Sequence, residues 1–242
     1  MSFRGADEGF AMLFSSAFAF SEHLIKWEDD RLRDKYDHNC FRYSGQPSLQ
    51  EIRLALAYQR QRGDSFLKML GYEPLVDKYG LEEETTLAMA LPKDVDVRGW
   101  AVDPKVSVKS PDPGQLERLE LQCFGAVCGN DFVVRNNRRL REKIPYLGAY
   151  LGGRLVGSCY MYVTDGYACV DSLMVDEDFR RRHVATTLLK HAVENARGSR
   201  AVPYLHVAAE GATKNIYARL GFRVVDKAYE YVCTDLADLA LD

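Results

Sequence analysis

Three consecutive arginines, Arg180 to Arg182, stand between an apolar run and an amphipathic segment. The run that ends at Leu173-Met174-Val175 is typical of a strand, and the segment from Val184 is typical of a helix. A helix that begins directly after such a loop leaves its first backbone N–H groups without internal partners. These donors, the helix dipole and the guanidinium groups together predict a diphosphate site. A solvated charge cluster is the alternative, and these residues alone do not decide between the two.

The elements that must position this loop follow from periodicity and turn residues. Strand-like runs at Tyr146–Leu151, Leu155–Val163 and Tyr167–Val175 are separated by Gly152-Gly153 and Asp165-Gly166. Both dipeptides are typical of tight hairpins, so we predict an antiparallel meander of three strands.

The residues on either side complete one α+β domain, residues 105–242. Downstream we predict a helix at Val184–Asn195 closed by Gly198, a strand at Val202–Ala208, a helix at Ala212–Leu220 and a strand at Phe222–Cys233. Upstream we predict a strand at Val106–Lys109 and helices at Asp112–Phe124 and Asp131–Ile144. The strand–helix–strand unit Tyr167–Ala208 implies a right-handed crossover and a parallel pair in a mixed sheet.

The first hundred residues predict a smaller α/β domain. Ser48-Leu49-Gln50-Glu51 has the form of a capping box, and a helix through Arg62 should follow it. Leu70-Gly71-Tyr72 echoes Leu220-Gly221-Phe222, which suggests a degenerate internal duplication, although chance explains three matching residues equally well. The polar stretch Pro92–Val102 is the expected linker.

Composition narrows the classes of function. The net charge of -3 argues against a general nucleic-acid binder, so the arginine cluster is local. The six cysteines form no C-x-x-C pair, which favours a reduced, cytoplasmic protein without a structural metal. The apolar run Ala11–Phe20 is too short to span a bilayer, and we expect it to be a buried element rather than a membrane segment.

The second half of the chain, about residues 106–232, resembles the GNAT superfamily of acyl-CoA-dependent N-acetyltransferases. Arg180-Arg181-Arg182-His183-Val184-Ala185 stands where that family has [Q/R]-x-x-G-x-[G/A], with His183 in place of the usual glycine. Ile216-Tyr217-Ala218-Arg219-Leu220-Gly221-Phe222 matches the family's second signature, [L/I]-Y-x-x-x-G-F, at every fixed position. The fold that this implies is a mixed, mostly antiparallel sheet flanked by helices, with the N-terminal domain (residues 1–100) as a degenerate GNAT-like half.

The resemblance also implies a donor and a set of site residues. The donor is acetyl-CoA, whose pantetheine arm pairs with a strand end and whose diphosphate binds the loop and helix start. The residues carried over to this role are Leu173, Met174, Val175, Arg180, Arg181, Arg182, His183, Val184, Ala185 and Thr186.

Tyr217 is implied to protonate the departing sulfur, and backbone N–H groups near Leu173–Val175 are implied to help the oxyanion. The general base stays open between two residues. Asp171 lies on the same strand face as Leu173 and Val175 by the two-residue period. His206, on the next strand, has a side chain whose ordinary pKa of about 6.5 suits a base.

These features predict an enzyme that moves an acetyl group from acetyl-CoA to a primary amine of a small molecule, without nucleic-acid or membrane partners. Two alternatives stay open, a protein or peptide N-acetyltransferase and a non-catalytic acyl-CoA sensor. The N-terminal domain covers the acceptor cleft or mediates a homodimer, and the sequence does not choose between these roles.

Overall fold

The computed structural model describes residues 3–239, which form six α-helices and eleven strands. The helices are α1 (Phe3–Ala11), α2 (Leu49–Arg62), α3 (Pro113–Cys128), α4 (Asn130–Arg141), α5 (Val184–Gly198) and α6 (Thr213–Arg219). The strands are β1 (Ser16–Ala19), β2 (Leu24–Glu28), β3 (Phe41–Tyr43), β4 (Leu67–Gly71), β5 (Glu82–Ala90), β6 (Ser107–Lys109), β7 (Tyr146–Leu151), β8 (Arg154–Thr164), β9 (Tyr167–Val175), β10 (Val202–Ala208) and β11 (Arg223–Cys233).

The chain folds into two compact units. Unit I comprises residues 89–205 and 217–223, and unit II comprises residues 3–88, 206–216 and 224–239. This division differs from the predicted domains, 1–100 and 105–242, because the C-terminal strand belongs with N-terminal residues. β11 pairs antiparallel with β4, from Tyr229 opposite Gly71 to Cys233 opposite Leu67.

The sheet of unit I has the order β10-β9-β8-β7-β6 and is antiparallel except for its β9–β10 pair. Both predicted hairpins are confirmed. Gly152 and Gly153 have φ values of 56° and 84°, and Asp165 and Gly166 have φ values of 52° and 81°. Two consecutive residues with positive φ match the right-handed twist of the flanking strands, so each turn sets the register of the residues next to it, and both pairs shift register farther from the turn.

Helix α5 packs on this sheet through the predicted apolar stripe. Val184, Leu188, Leu189 and Val193 are all at most 1% exposed. The helix runs through Gly198 instead of ending before it, and the residue with left-handed backbone after it is Arg200, with a φ of 59°.

The predicted linker is held against α5. The guanidinium of Arg197 donates to the carbonyl oxygens of Pro92 at 3.1 Å and Val95 at 2.8 Å, and Val97 is buried. Residues 92–102 therefore include a fixed part of unit I, although their composition is typical of a linker.

Unit II contains strands in the order β1-β2-β3-β4-β11-β5, with β3 and β4 parallel. Helix α2 covers its core through Ile52, Ala55 and Leu56, which pack with Phe41 and Tyr231. The predicted sheet in the N-terminal half is therefore confirmed, and the chain has the α+β fold that the sequence indicates.

The predicted capping box at the start of α2 is also confirmed. Ser48 accepts from the backbone N–H of Glu51, whose carboxylate accepts from the backbone N–H of Ser48 at 2.8 Å. The same carboxylate accepts from the Ser21 hydroxyl at 2.6 Å and from the His23 backbone N–H at 3.0 Å. Burial acts to raise the pKa of Glu51, but these hydrogen bonds outweigh it and lower the pKa to about 2.

The prediction that Ala11–Phe20 is a buried element holds only for Ala11, Phe14 and Ser15, which are buried. All four residues of the edge strand β1 are exposed, and Met12 is 49% exposed. Between residues 3 and 239, no helix combines the length and the apolar character that crossing a membrane requires.

Candidate active site

The loop between β9 and α5 is anchored by a buried carboxylate. Asp176 is 1% exposed and accepts from the Arg154 guanidinium at 2.6 Å, from the Gln122 amide at 3.3 Å and from the backbone N–H of Asp178 at 3.1 Å. Three donors from different parts of unit I therefore fix the position at which the chain leaves the sheet.

The start of α5 presents unpaired donors. The first backbone bond of the helix runs from the N–H of Thr187 to the carbonyl of His183, at 2.9 Å. The helix itself offers no acceptor to the N–H groups of Val184, Ala185 and Thr186, and the His183 side chain does not cap them. An anion placed at this end would accept from these donors and would meet the positive end of the helix dipole.

His183 adopts the backbone conformation that a glycine would supply. Its φ of 58° and ψ of 12° lie in the left-handed region, which costs a non-glycine residue about 1 kcal/mol. The loop therefore keeps its shape despite the substitution, and the His183 side chain is exposed beside the helix start.

The three arginines of the loop are exposed around this helix start. Arg182 stacks over the Phe179 ring with its guanidinium carbon 5.2 Å from the ring centroid. Arg180 pairs with Glu177 at 2.9 Å, and Arg181 has a φ of 61°. Their charge lies next to the unpaired N–H groups, as a diphosphate site requires.

Strand β9 has an open edge beside this loop. Its parallel pairing with β10 covers only Tyr167–Cys169 opposite Val202–Tyr204, while β9 continues to Val175. Within the part of the chain that the structure describes, the register of β9 with β10 ends there. The predicted residues Leu173–Val175 therefore lie beyond the part of β9 that pairs with β10, and backbone groups on that edge can bind an amide-containing arm.

A bulge in β9 changes which side chains share a face. Tyr160 of β8 lies opposite Asp171, but Ser158 lies opposite Met174, so β9 has one extra residue in this interval. Ser172 takes up the irregularity with a φ of 50°. Asp171 therefore shares a face with Met174. The predicted shared face with Leu173 and Val175 is wrong, because simple alternation fails across a bulge.

Two of the predicted catalytic residues, Tyr217 and Asp171, interact electrostatically in the structure. Burial raises the pKa of Tyr217 above its ordinary value of 10, and the negative charge of Asp171 raises it further. The Asp171 carboxylate accepts from the Tyr160 hydroxyl at 2.7 Å and from the backbone N–H of Ser172. Tyr217 therefore carries its proton at neutral pH, but the raised pKa by itself does not make it a stronger acid.

His206 lies in unit II, whereas Tyr217 and Asp171 lie in unit I. Its Nε2 atom is 3.1 Å from a carboxylate oxygen of Asp7 on α1. It also lines a small cleft together with Tyr72 and Lys227. The role of His206 as a base stays a prediction, and its side chain has a structural partner within unit II.

Tyr160, which donates to Asp171, is a residue of this candidate site that the sequence motifs did not indicate. A signal for it was present, because a two-residue turn at Asp165-Gly166 places residues 160 and 171 opposite each other when pairs are counted outward from the turn. Gly157 is a second such residue. A Cβ atom there would lie 3.0 Å from Val184 Cγ1, so its lack of a side chain lets the start of α5 approach the sheet.

Together these features define a class of protein. A helix start with free N–H groups and arginines suits a diphosphate, an open strand edge suits an amide-bearing arm, and a tyrosine acid with a carboxylate suits acyl transfer. This combination on a mixed, mostly antiparallel sheet resembles that of GNAT-type acyltransferases.

Comparison with known protein families identifies the family that part of the chain matches. Residues 115–222 match the Acetyltransferase (GNAT) family and form a domain of that family, whose members transfer acyl groups from acyl-CoA. Comparison with curated protein sequences gives no match.

Solved structures similar to this chain cover nearly all of it. A functionally unknown conserved protein from Staphylococcus epidermidis is 14% identical, with a TM-score of 0.75 over 91% of this chain and 94% of that one. A GCN5-related N-acetyltransferase from Kribbella flavida is 16% identical, with a TM-score of 0.70 over 98% and 96%. A tandem GNAT protein from the clavulanic acid biosynthesis pathway is 15% identical, with a TM-score of 0.60 over 94% and 86%. At these identities the likeness shows the fold, which fits two GNAT-like halves in one chain.

Proposed function

We propose that unit I transfers an acetyl group from acetyl-CoA to a primary amine of a small-molecule acceptor, by direct attack in a ternary complex. The observation that carries this proposal is the uncapped start of α5 beside the part of the β9 edge that β10 leaves open, in the unit that also holds Tyr217 and Asp171.

The residues that would hold acetyl-CoA fit its chemistry. The N–H groups of Val184–Thr186 and the guanidinium groups of Arg180–Arg182 would bind the diphosphate. The backbone of Leu173–Val175 would pair with the amides of the pantetheine arm. Acetyl-CoA supplies the acetyl group as an activated thioester.

The reaction forms a carbon–nitrogen bond and breaks a carbon–sulfur bond, so one proton must leave the amine and one must reach the sulfur. Asp171 takes the proton from the amine, directly or through water. Tyr217 gives its proton to the sulfur, and backbone N–H groups near Leu173–Val175 donate to the carbonyl oxygen as its charge grows. His206 is the second candidate for the base.

Tyr217→Phe tests the assignment of the acid. We expect turnover to fall about 100-fold, because a positioned acid contributes roughly that much, while acetyl-CoA affinity changes little. Turnover is measured by thiol release with a panel of small amines, and affinity by calorimetry. Tyr167→Phe is the matched control, since it removes a tyrosine hydroxyl from the far end of the strand that carries Asp171.

The outcomes separate the alternatives. Equal turnover in Tyr217→Phe and the wild-type protein would remove Tyr217 from the mechanism. Thiol release with peptide N-termini or lysine side chains but not with small amines would favour a protein acceptor. Acetyl-CoA binding without release in the presence of any amine would identify a sensor.

A further inference from the structure

Asp171 is held from two sides by donors that the family signatures do not include. The Tyr160 hydroxyl donates to Oδ2 at 2.7 Å, and the backbone N–H of Ser172 donates to Oδ1. An ionised carboxylate has about four lone-pair directions, so each oxygen keeps one for a further donor such as an ammonium group. Together the two donors fix the orientation of the carboxylate.

The bulge in β9 and the packing of Tyr160 make this arrangement specific. Because of the bulge, Asp171 shares the face of Tyr160 and Met174. Tyr160 is 5% exposed, and its ring lies 5.3 Å from the ring of Tyr146, its direct neighbour on β7. Asp171 is only partly buried, so the carboxylate is accessible while its partner is fixed in the core.

We propose that Tyr160 is a positioning residue for Asp171, whose carboxylate it holds in one orientation for the acceptor amine. This inference rests on the proposed function, in which Asp171 receives a proton from that amine. Tyr160 acts only through the carboxylate and does not touch the substrate.

The carboxylate of Asp171 then acts on both proton transfers, the one from the amine and the one from Tyr217 to the sulfur. It attracts the amine and accepts one proton from it as the carbon–nitrogen bond forms. Burial and the charge of Asp171 raise the pKa of Tyr217, and the effect of the charge ends once Asp171 has taken up that proton. Burial and the charge of Asp171 hold the pKa of Tyr160 well above 10, so Tyr160 stays a hydrogen-bond donor over the working pH range.

The other titratable groups near Asp171 do not compete in that pH range. The pKa of Cys159 is raised to about 12 by burial and by Asp171, and burial raises the pKa of Tyr146 well above 10. Glu120 on α3 is different, because burial raises its pKa to about 7 against the opposing effect of its partner Arg141. Its charge acts on Tyr146, so its ionisation must be separated from that of Asp171 by a control.

The test compares Tyr160→Phe with Tyr146→Phe, the matched control. Each variant removes one hydroxyl from adjacent buried rings, but the sheet partner of Tyr146 is Tyr160 rather than Asp171. The kcat and the KM for acetyl-CoA are measured with one amine at one pH throughout. We expect kcat to fall about tenfold in Tyr160→Phe with an unchanged KM for acetyl-CoA, because one hydrogen bond to the charged carboxylate is lost. Tyr146→Phe should keep the kcat of the wild-type protein and shows what a change near Glu120 does, and Asp171→Asn should lose turnover.

A second readout does not depend on turnover. The carboxylate carbon of Asp171 is followed by carbon-13 NMR of labelled aspartate at one fixed pH, with Asp171→Asn assigning the signal. A displaced Asp171 signal in Tyr160→Phe alone supports the positioning role even if no amine is acetylated, in which case only the proposed function fails. An Asp171 signal at the same position in Tyr160→Phe and Tyr146→Phe would overturn the inference, whether or not the enzyme acetylates amines.

Discussion

Replacing Gly157 by alanine should move the first turn of α5 away from the sheet. Gly157 lies in β8, where a Cβ atom would meet the carbonyl oxygen of Met174 and Cγ1 of Val184, each at 3.0 Å, and Cδ1 of Leu188 at 3.2 Å. Two of these three atoms belong to the buried face of α5, and Val184 is its first residue. The glycine therefore sets how closely the anion-binding end of the helix approaches the strands.

The size of the effect follows from these distances. Relief of the contacts requires α5 to shift by a few tenths of an ångström, since ordinary contacts to a Cβ atom begin at 3.4 Å. Overpacking of a core costs about 1–3 kcal/mol, and replacing a strand glycine by alanine returns about 0.5–1 kcal/mol through lower chain entropy. We expect a net destabilisation of about 1 kcal/mol, together with weaker CoA binding because the N–H groups at the helix start are displaced.

Urea unfolding measures the first quantity and calorimetry with CoA measures the second. Gly198→Ala is the matched control, because it lies at the other end of α5 and a Cβ atom there meets nothing within 4 Å. The control should be at least as stable as the wild-type protein, since alanine favours a helix over glycine, and its CoA affinity should not change. If Gly157→Ala behaves like Gly198→Ala in both assays, the spacing argument is refuted.

Two further predictions concern the loop arginines and the start of α2. Replacing Arg180 and Arg182 together by alanine should weaken CoA binding at least about tenfold in calorimetry, through the loss of charged donors to phosphate. Arg98→Ala, at an exposed position of unit I, should leave affinity unchanged, and an unchanged double variant would remove both arginines from the site. The folded-state pKa of Glu51, about 2, lies below its ordinary 4.5, so its carboxylate stabilises the fold above pH 4.5 and this contribution is lost as the pH falls towards 2. A shift of that size corresponds to about 3 kcal/mol, which we reduce to about 1.5 kcal/mol for screening near the surface. Glu51→Gln should show that loss in urea unfolding at pH 7 and much less at pH 3, with Gln50→Ala as the neutral control, and an equal loss at both pH values would contradict the ionic explanation.

The sequence predicts which residues of the meander in unit I pair with each other next to its two turns. Two-residue turns at Gly152-Gly153 and Asp165-Gly166 impose their own pairing, because their positive φ values fit only one hairpin geometry. Counting outward from the second turn places Tyr160 opposite Asp171, as the structure does. The geometry of the turn therefore predicts from the sequence that these two side chains are cross-strand neighbours that can form a hydrogen bond.

The sequence did not predict correctly on which face of β9 the Asp171 carboxylate lies. Alternation predicts that Asp171 shares its face with Leu173, but the bulge at Ser172 breaks the alternation. A bulge adds one residue to one strand, and its position depends on how both strands pack against the rest of the unit. The conformation of His183 is a similar case, since a histidine does not by itself predict left-handed backbone.

The sequence by itself determined the features that depend on near neighbours along the chain. These include the two hairpin turns, the apolar stripe of α5, the capping box at Ser48, and the order of loop and helix that identifies the donor site. Only the tertiary structure decided which distant segments meet. The pairing of β11 with β4 and the pairing of His206 with Asp7 join residues 156 or more positions apart. No local pattern encodes such contacts, because they form only when packing of the whole unit offsets the entropy of closing a long loop.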